Sequence, residues 1–261
     1  MELTIYQVDA FSTEVFGGNP AAIVPLREWL PDATMQSIAM ENNLAETAFF
    51  VKSGSGYQLR WFTPAVEVDL CGHATLASAF VVFHYLEPDL QQVVFSTRSG
   101  DLTVTRAGEQ LSMDFPSRPP EPVTPCAGLL EALGGKPLEV MAARDYLVLY
   151  ASEAEVKALQ PDMLALCGND KFAVIVSAPA QTPGIDFVSR FFAPAKGVPE
   201  DPVTGSAHCT LIPYWAGQLG KDVLTARQVS ARGGTLHCAL RGDRVSMAGS
   251  AVLYLKGSIW I

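Results

Sequence analysis

Nowhere in this chain do apolar residues run for the ~20 positions that a membrane-spanning helix needs. Glu2 and Asp9 interrupt the N-terminus where a secretion signal would need an apolar core, so the expected location is cytoplasmic. Positive charge is scarce: 18 Lys and Arg stand against 27 Asp and Glu, the net charge is −9, and no basic run exceeds a dipeptide. Nucleic acid and anionic membranes are therefore excluded as expected partners. The five cysteines, Cys71, Cys126, Cys167, Cys209 and Cys238, are odd in number and form no CxxC pair. They read as reduced thiols rather than a disulfide frame or zinc site. No GxGxxG after a strand, no Walker loop and no HExxH occurs, and Gly17-Gly18-Asn19-Pro20 reads as a turn rather than a phosphate cradle. The expectation is chemistry that needs only proton movement, with no cofactor and no metal.

What the chain does have is a repeat. RWFTPAVEVDLCGHATLASAF at 60–80 returns as RFFAPAKGVPEDPVTGSAHCTLIPYW at 190–215, with Arg60, Phe62 and Pro64 recurring as Arg190, Phe192 and Pro194. Three extra residues in the second loop then pair Asp69 with Asp201 or its neighbours, Gly72 with Gly205, and Ala74 with Ala207. An offset of about 130, half the chain, marks a duplicated unit. Each copy sends a helix out of a tight Gly loop, and such an end presents unpaired N–H groups and partial positive charge. Two such ends related by a pseudo-twofold axis would face one cleft and hold an anion from both sides. The Pro-rich FPSRPPEPVTP at 115–125 lies near the midpoint. It suggests halves at 1–115 and 126–250, a semi-rigid linker at 116–125, and a strand near 251–261 as a candidate to return to the first half.

Strands are expected at 4–11, 19–26, 46–51 and 57–62, with helices at 32–43, capped by Asp32, and at 73–86, followed by a three-strand meander. The second half is expected to run short helix near 126–134, strand 146–151, helix 153–166, strands 171–177 and 186–192, helix 206–217, and four short strands. The order implies an α+β fold of two pseudo-symmetric domains, each a mostly antiparallel sheet rolled around a central helix.

The repeat loops hold polar residues where a core would not want them: Asp69, Cys71, Gly72, His73 and Thr75, then Asp201, Thr204, Gly205, Ser206 and His208. Read singly they are helix caps, turn glycines and polar fillers. Their joint recurrence points to a site. Glu46 stands between Ala45 and the Phe49–Phe50 pair, where desolvation would raise a carboxyl pKa toward the range useful for proton transfer; a rim-exposed strand residue is the alternative. His73 could shuttle a proton or donate to a substrate oxygen. Cys71 sits at the mouth of the first helix, where the dipole would lower a thiol pKa. Thr204 aligns with it, so a two-thiol racemase mechanism is unavailable.

QVDAFSTEVFGGNPAAIV, NNLAETAFF, RWFTPAVEVDLCGHATLASA and EDPVTGSAHC together resemble the PhzF family of phenazine-biosynthesis-like isomerases. The resemblance implies a diaminopimelate epimerase-like fold with the active site in the cleft between two similar domains. It further implies Glu46 as catalytic acid/base, His73 and Asp201 as its polar partners, and Gly72 with His73 and Gly205 with Ser206 as loops binding a substrate carboxylate. The family's prototype moves a proton between ring carbons of trans-2,3-dihydro-3-hydroxyanthranilate. The expected function is thus a cofactor-independent isomerase of a small carboxylate-bearing metabolite, possible as a homodimer. Catalytic residues are Glu46, His73 and Asp201, and substrate-binding ones Cys71, Gly72, Thr204, Gly205 and Ser206. The alternatives are an amino-acid racemase or epimerase and a non-catalytic binding protein of the same fold.

Overall fold

A parallel strand pair cannot be closed by a hairpin; it needs a crossover long enough for a helix. The computed structural model, which describes residues 1–261 apart from the side chain of Ala107, meets that requirement twice in each half. The first run of elements is β1 Glu2–Ala10, β2 Asn19–Leu26, α1 Asp32–Asn42, β3 Glu46–Ser53, β4 Gly56–Phe62, β5 Glu67–Val68, α2 Gly72–Val81, β6 Gln92–Thr97, β7 Gly100–Ala107 and β8 Gln110–Pro116. The second run is β9 Glu121–Pro122, α3 Leu129–Leu133, β10 Glu139–Ala142, β11 Tyr146–Leu149, α4 Glu153–Ala158, α5 Met163–Leu166, β12 Val174–Pro179, β13 Phe187–Ala193, β14 Val198–Asp201 and α6 Gly205–Leu219. It closes with β15 Val223–Gln228, β16 Gly234–Arg241, β17 Arg244–Gly249 and β18 Ala251–Trp260.

Contacts divide the chain into Met1–Asp114 with Ala248–Ile261, and Phe115–Met247. In the first unit β18, β1, β2, β3, β4, β6 and β7 lie side by side, all antiparallel except β2/β3 and β4/β6. The two exceptions are the pairs bridged by α1 and α2. In the second unit β10, β11, β12, β13, β15 and β16 repeat the order, with β11/β12 and β13/β15 parallel and bridged by α4–α5 and α6. The architecture is a sheet-dominated α+β fold in which the second unit repeats the strand order of the first.

α2 packs against β1, β2, β3 and β18. Nine of its residues, His73 to Val81, are buried, so its apolar surface runs all the way round, as an enclosed helix requires. Small side chains at Ala74, Ala77 and Ala79 admit the surrounding strands, and the hydroxyls of Thr75 and Ser78 donate back to the carbonyls of Cys71 and Ala74 at 2.5 and 2.7 Å. On the outer face α1 covers a separate core of Ile5, Val24, Met35, Ile38, Phe49 and Phe62. β3 is therefore buried on both faces, which explains its continuous apolar run.

Several local expectations are corrected. Pro31, not Asp32, is the N-cap of α1, and Asp32 instead accepts from Arg60 Nη1 at 2.9 Å. The helix expected over 153–166 is two helices, because Pro161 lacks the N–H needed to continue. The helix after His73 changes to a π turn at Val82–Leu86. The last strand has ten residues, not a short stretch, and pairs with the whole of β1 from Glu2↔Trp260 to Ala10↔Ala251. The Pro-rich segment is anchored to the second unit: Ser117 N donates to Asp243 O, and Glu121–Pro122 pairs with β10. Its most telling bond is from Arg118 N to Cys209 O at 2.8 Å. Pro213 lies inside α6 and cannot bond the carbonyl four residues earlier, so Arg118 supplies the donor that Pro213 lacks.

Glu153 ties the second unit's outer layer together. Its side chain is 4% exposed and takes Lys157 Nζ at 2.5 Å, Gln181 N at 2.7 Å and the Thr182 N–H and hydroxyl. Lys157 first, then these amides, hold its pKa at about 2 against the opposing effect of burial. A depressed carboxyl pKa gives stability that is present above the unfolded value, near 4.3, and is lost as pH falls through the folded value. Glu153→Gln should therefore cost about 2 kcal/mol at pH 7, with wild type and variant converging between about pH 4 and pH 2. Urea denaturation across that range checks it; a pH-independent difference would mean the carboxylate charge is not what matters.

Candidate active site

The polar residues of the first repeat are placed by backbone geometry before any side chain is considered. α1 ends at Asn43 in the left-handed region, φ 50°, and the chain then turns into β3 with Glu46 as its first residue. β2 starts at Asn19 after Gly18, whose φ is +63° and where an added Cβ would stand 2.1 Å from Ala10 O. Only glycine satisfies both demands there. β5 brings the chain to Cys71, the N-cap of α2.

These paths converge. Glu46 Oε2 and His73 Nε2 are 3.1 Å apart, close enough to pair electrostatically but off the alignment of a hydrogen bond. On the other side of the ring, Nδ1 lies 3.1 Å from Asn19 Nδ2 and 3.5 Å from Cys71 Sγ. The side chain of Glu46 is 16% exposed and that of His73 5%, so the pair keeps a carboxylate edge toward solvent on a buried imidazole. Burial opposes charge on His73 most strongly, yet the Cys71 sulfur and Glu46 carboxylate outweigh it and hold the pKa well above its ordinary value. Cys71 contradicts the expectation of a dipole-lowered thiol. Burial, followed by the negative charge of Glu46, pushes it up to about 11, because desolvating a thiolate costs more than one helix end returns.

The second repeat is held by a different device. Thr204 Oγ1 donates to Asp201 Oδ2, Thr204 N donates to Gln228 Oε1 at 2.9 Å, and Gln228 Nε2 donates to Asp201 O at 2.7 Å. Gln228, wholly buried, thus clasps the loop from Asp201 to Thr204 just before α6. Gly205 is buried at the helix start and Ser206 half-buried beside it. His208 is structural: Nδ1 bonds Thr204 O at 2.8 Å, and burial pushes its pKa down to about 4.

Neither α2 nor α6 has a side-chain cap, whereas α4 and α5 are capped by Ser152 and Asp162. Thr204 is at the N-cap position, but its hydroxyl is turned to Asp201. The reading of Thr and Asp as ordinary caps therefore fails at both loops. Their first-turn N–H groups are left to other acceptors. Strand register narrows the pairing of the repeats: Trp61↔Val68 corresponds to Phe191↔Asp201, so Asp69 aligns with Pro202, the neighbour of Asp201, and Glu67 with Glu200. The corresponding pairs are bidentate, Arg60 to Glu67 at 2.7 and 2.8 Å and Arg190 to Glu200 at 2.7 and 2.9 Å. Asp69 itself is exposed.

Among the expected residues, Glu46, Cys71, Gly72 and His73 come together in the first unit, and Asp201, Thr204, Gly205 and Ser206 in the second. Asn19 and Gln228 went unrecognised in the sequence. The buried polar residue at the start of an apolar strand was the available signal for Asn19; nothing in VLTARQ distinguishes Gln228.

Residues 8–257 match the family described as phenazine biosynthesis-like protein. The chain belongs to that family. It is 54% identical over 259 residues to a Pseudomonas aeruginosa protein named as an uncharacterized isomerase, with 99% of each chain covered. It superposes on the crystal structure of a PhzF family protein from Enterococcus faecalis with a TM-score of 0.97 at 47% identity, covering 100% of both chains. A hydroxyproline epimerase from Agrobacterium vitis shares the fold, with a TM-score of 0.61 at 9% identity over 99% of this chain and 92% of that one. Within the family frame, the Gln228 clasp makes a separate prediction. Gln228→Leu leaves Thr204 N–H and Asp201 C=O without their buried partner and should cost about 3 kcal/mol. Urea unfolding is the check, and a loss below about 1 kcal/mol would show that the loop is held by something else.

Proposed function

We propose that this family member is a cofactor-independent isomerase that removes and returns a proton on a small carboxylate-bearing metabolite. The observation that carries the reading is the Glu46 carboxylate beside the His73 ring at the uncapped start of α2. Glu46 takes a proton from a carbon next to an unsaturated or carboxylate-activated centre and becomes a carboxylic acid. The electron pair left behind spreads into that centre, and Glu46 returns the proton at a different carbon, so charge and atoms balance over the cycle. A charged His73 stabilises the ionised Glu46 between turnovers, and Asp201 is its polar counterpart in the second repeat. Free N–H groups at Gly72–His73 and Gly205–Ser206 would bind the substrate carboxylate and the developing enolate-like charge, usually the largest catalytic contribution. Cytoplasmic location and homodimeric assembly belong to the same reading; among the described residues, no helix is long and apolar enough to cross a membrane.

Glu46→Gln should keep the fold and lose turnover by about 10²-fold or more. The measurement is solvent deuterium entering a panel of unsaturated and hydroxy- or amino-substituted carboxylates, followed by NMR. Turnover near wild type in a folded Glu46→Gln protein would remove Glu46 as the base.

Racemisation is disfavoured because Thr204, not a thiol, stands opposite Cys71 in the repeat, and its hydroxyl is committed to Asp201. Cys71→Ser should therefore keep most isomerase activity, and proline and diaminopimelate enantiomers should not interconvert. Optical rotation of these amino acids in deuterated water decides the point. Inversion with α-deuteration that disappears in Cys71→Ser would establish the racemase instead.

A further inference from the structure

Glu46, Cys71 and His73 place one carboxylate oxygen, one sulfur and one ring nitrogen within 4.8 Å of one another, a grouping in which proton transfer by Glu46 leaves the Cys71 sulfur unused. The separation of Cys71 Sγ and His73 Nδ1 is 3.5 Å. Tetrahedral zinc, with Zn–S near 2.3 Å and Zn–N near 2.0–2.1 Å, sets its sulfur and nitrogen ligands about 3.5 Å apart. The opposite nitrogen of the same ring, Nε2, faces Glu46 Oε2 at 3.1 Å. A metal-bound histidine commonly gives its second N–H to a carboxylate, which fixes the tautomer and makes the ligand more basic. The amide of Asn19, with Nδ2 3.1 Å from Nδ1, presents its oxygen to the same place when turned about its terminal bond.

We propose that Cys71 Sγ and His73 Nδ1 form a binding site for a thiophilic divalent cation such as Zn2+, with Glu46 as the carboxylate behind the histidine. Cys71 and His73 are 6% and 4% exposed, a setting that favours a cation which sheds its water for sulfur and nitrogen. Mg2+ and Ca2+ prefer oxygen ligands, and Mg2+ gives up its water reluctantly. Binding displaces two protons to solvent, that of the Cys71 thiol and that on Nδ1 of the charged His73 ring, so affinity rises with pH. Where the proposed function holds, on which this one consequence rests, occupancy stops turnover: the cation fills the space between Cys71 and His73 at the start of α2, where the substrate carboxylate would bind.

The test is a titration of the full chain with Co2+ at pH 8. One equivalent should produce a near-ultraviolet thiolate-to-cobalt charge-transfer band that Zn2+ abolishes and excess Mg2+ does not. Cys71→Ser should lose the band, and Cys209→Ser, which alters another buried thiol, should keep it. As a second measurement on the unaltered protein, Zn2+ should slow alkylation of Cys71 at least tenfold, read by peptide mass spectrometry, with no change at exposed Cys167. Absence of the band at saturating Co2+, its survival in Cys71→Ser, or unchanged alkylation of Cys71 would overturn the proposal. Zn2+ bound by these criteria with undiminished deuterium exchange would uphold the cation site and count against the substrate-carboxylate role given to Gly72–His73.

Discussion

Enclosing a helix within a sheet constrains everything near its ends. α2 is buried on nearly every side and carries the crossover between the parallel strands β4 and β6, so the helix begins where β4 and β5 stop. Its N-terminal amides then emerge at the rim of the sheet, beside the first residues of β2 and β3. Asn19, Glu46 and His73 meet because three chain segments terminate at one level. α6 obeys the same rule in its own unit, following β13 and β14.

The loops leading into these helices need independent support, since an uncapped helix start has no side chain to fix it. A bidentate Arg–Glu pair provides it in each unit, combining charge with two directed hydrogen bonds. The arginines also lie over Phe62 and Phe192, 5.2 and 4.9 Å from the ring centroids. Arg190 further donates to the carbonyls of Val156 and Leu159, linking the loop to α4. Rigid loops let the amides stay available without the helix fraying.

Within the first site, two opposing electrostatic effects decide the protonation pattern. Desolvation disfavours charge on both Cys71 and His73. It prevails for the thiol, whose ionisation would put a second negative charge near Glu46. It loses for the imidazole, whose positive charge is favoured by the Cys71 sulfur first and then by that carboxylate. Burial first, and the Glu46 carboxylate second, keep the Cys71 thiol protonated, which is why a helix-dipole argument for Cys71 alone gave the wrong direction.

The repeat and the helix starts at Gly72 and Gly205 were legible in the amino-acid order, because turn glycines and hydrophobic periodicity are local properties; Glu46 was grouped with the polar loops through the family resemblance. So were most strands of the first half, whose alternation or apolar runs survive in the fold. Other features depended on contacts distant in the chain. Gln228 became part of the second loop only through a strand 24 residues beyond Thr204. Asp32 lost its capping role to Arg60, and the Pro-rich segment acquired a partner because Pro213 left Cys209 O without one. The pKa of Cys71 was likewise decided by burial, which no local motif encodes. Sequence determined which backbone turns and amphipathic segments could form; tertiary packing decided which polar atoms would be paired, which would be desolvated, and therefore which could do chemistry.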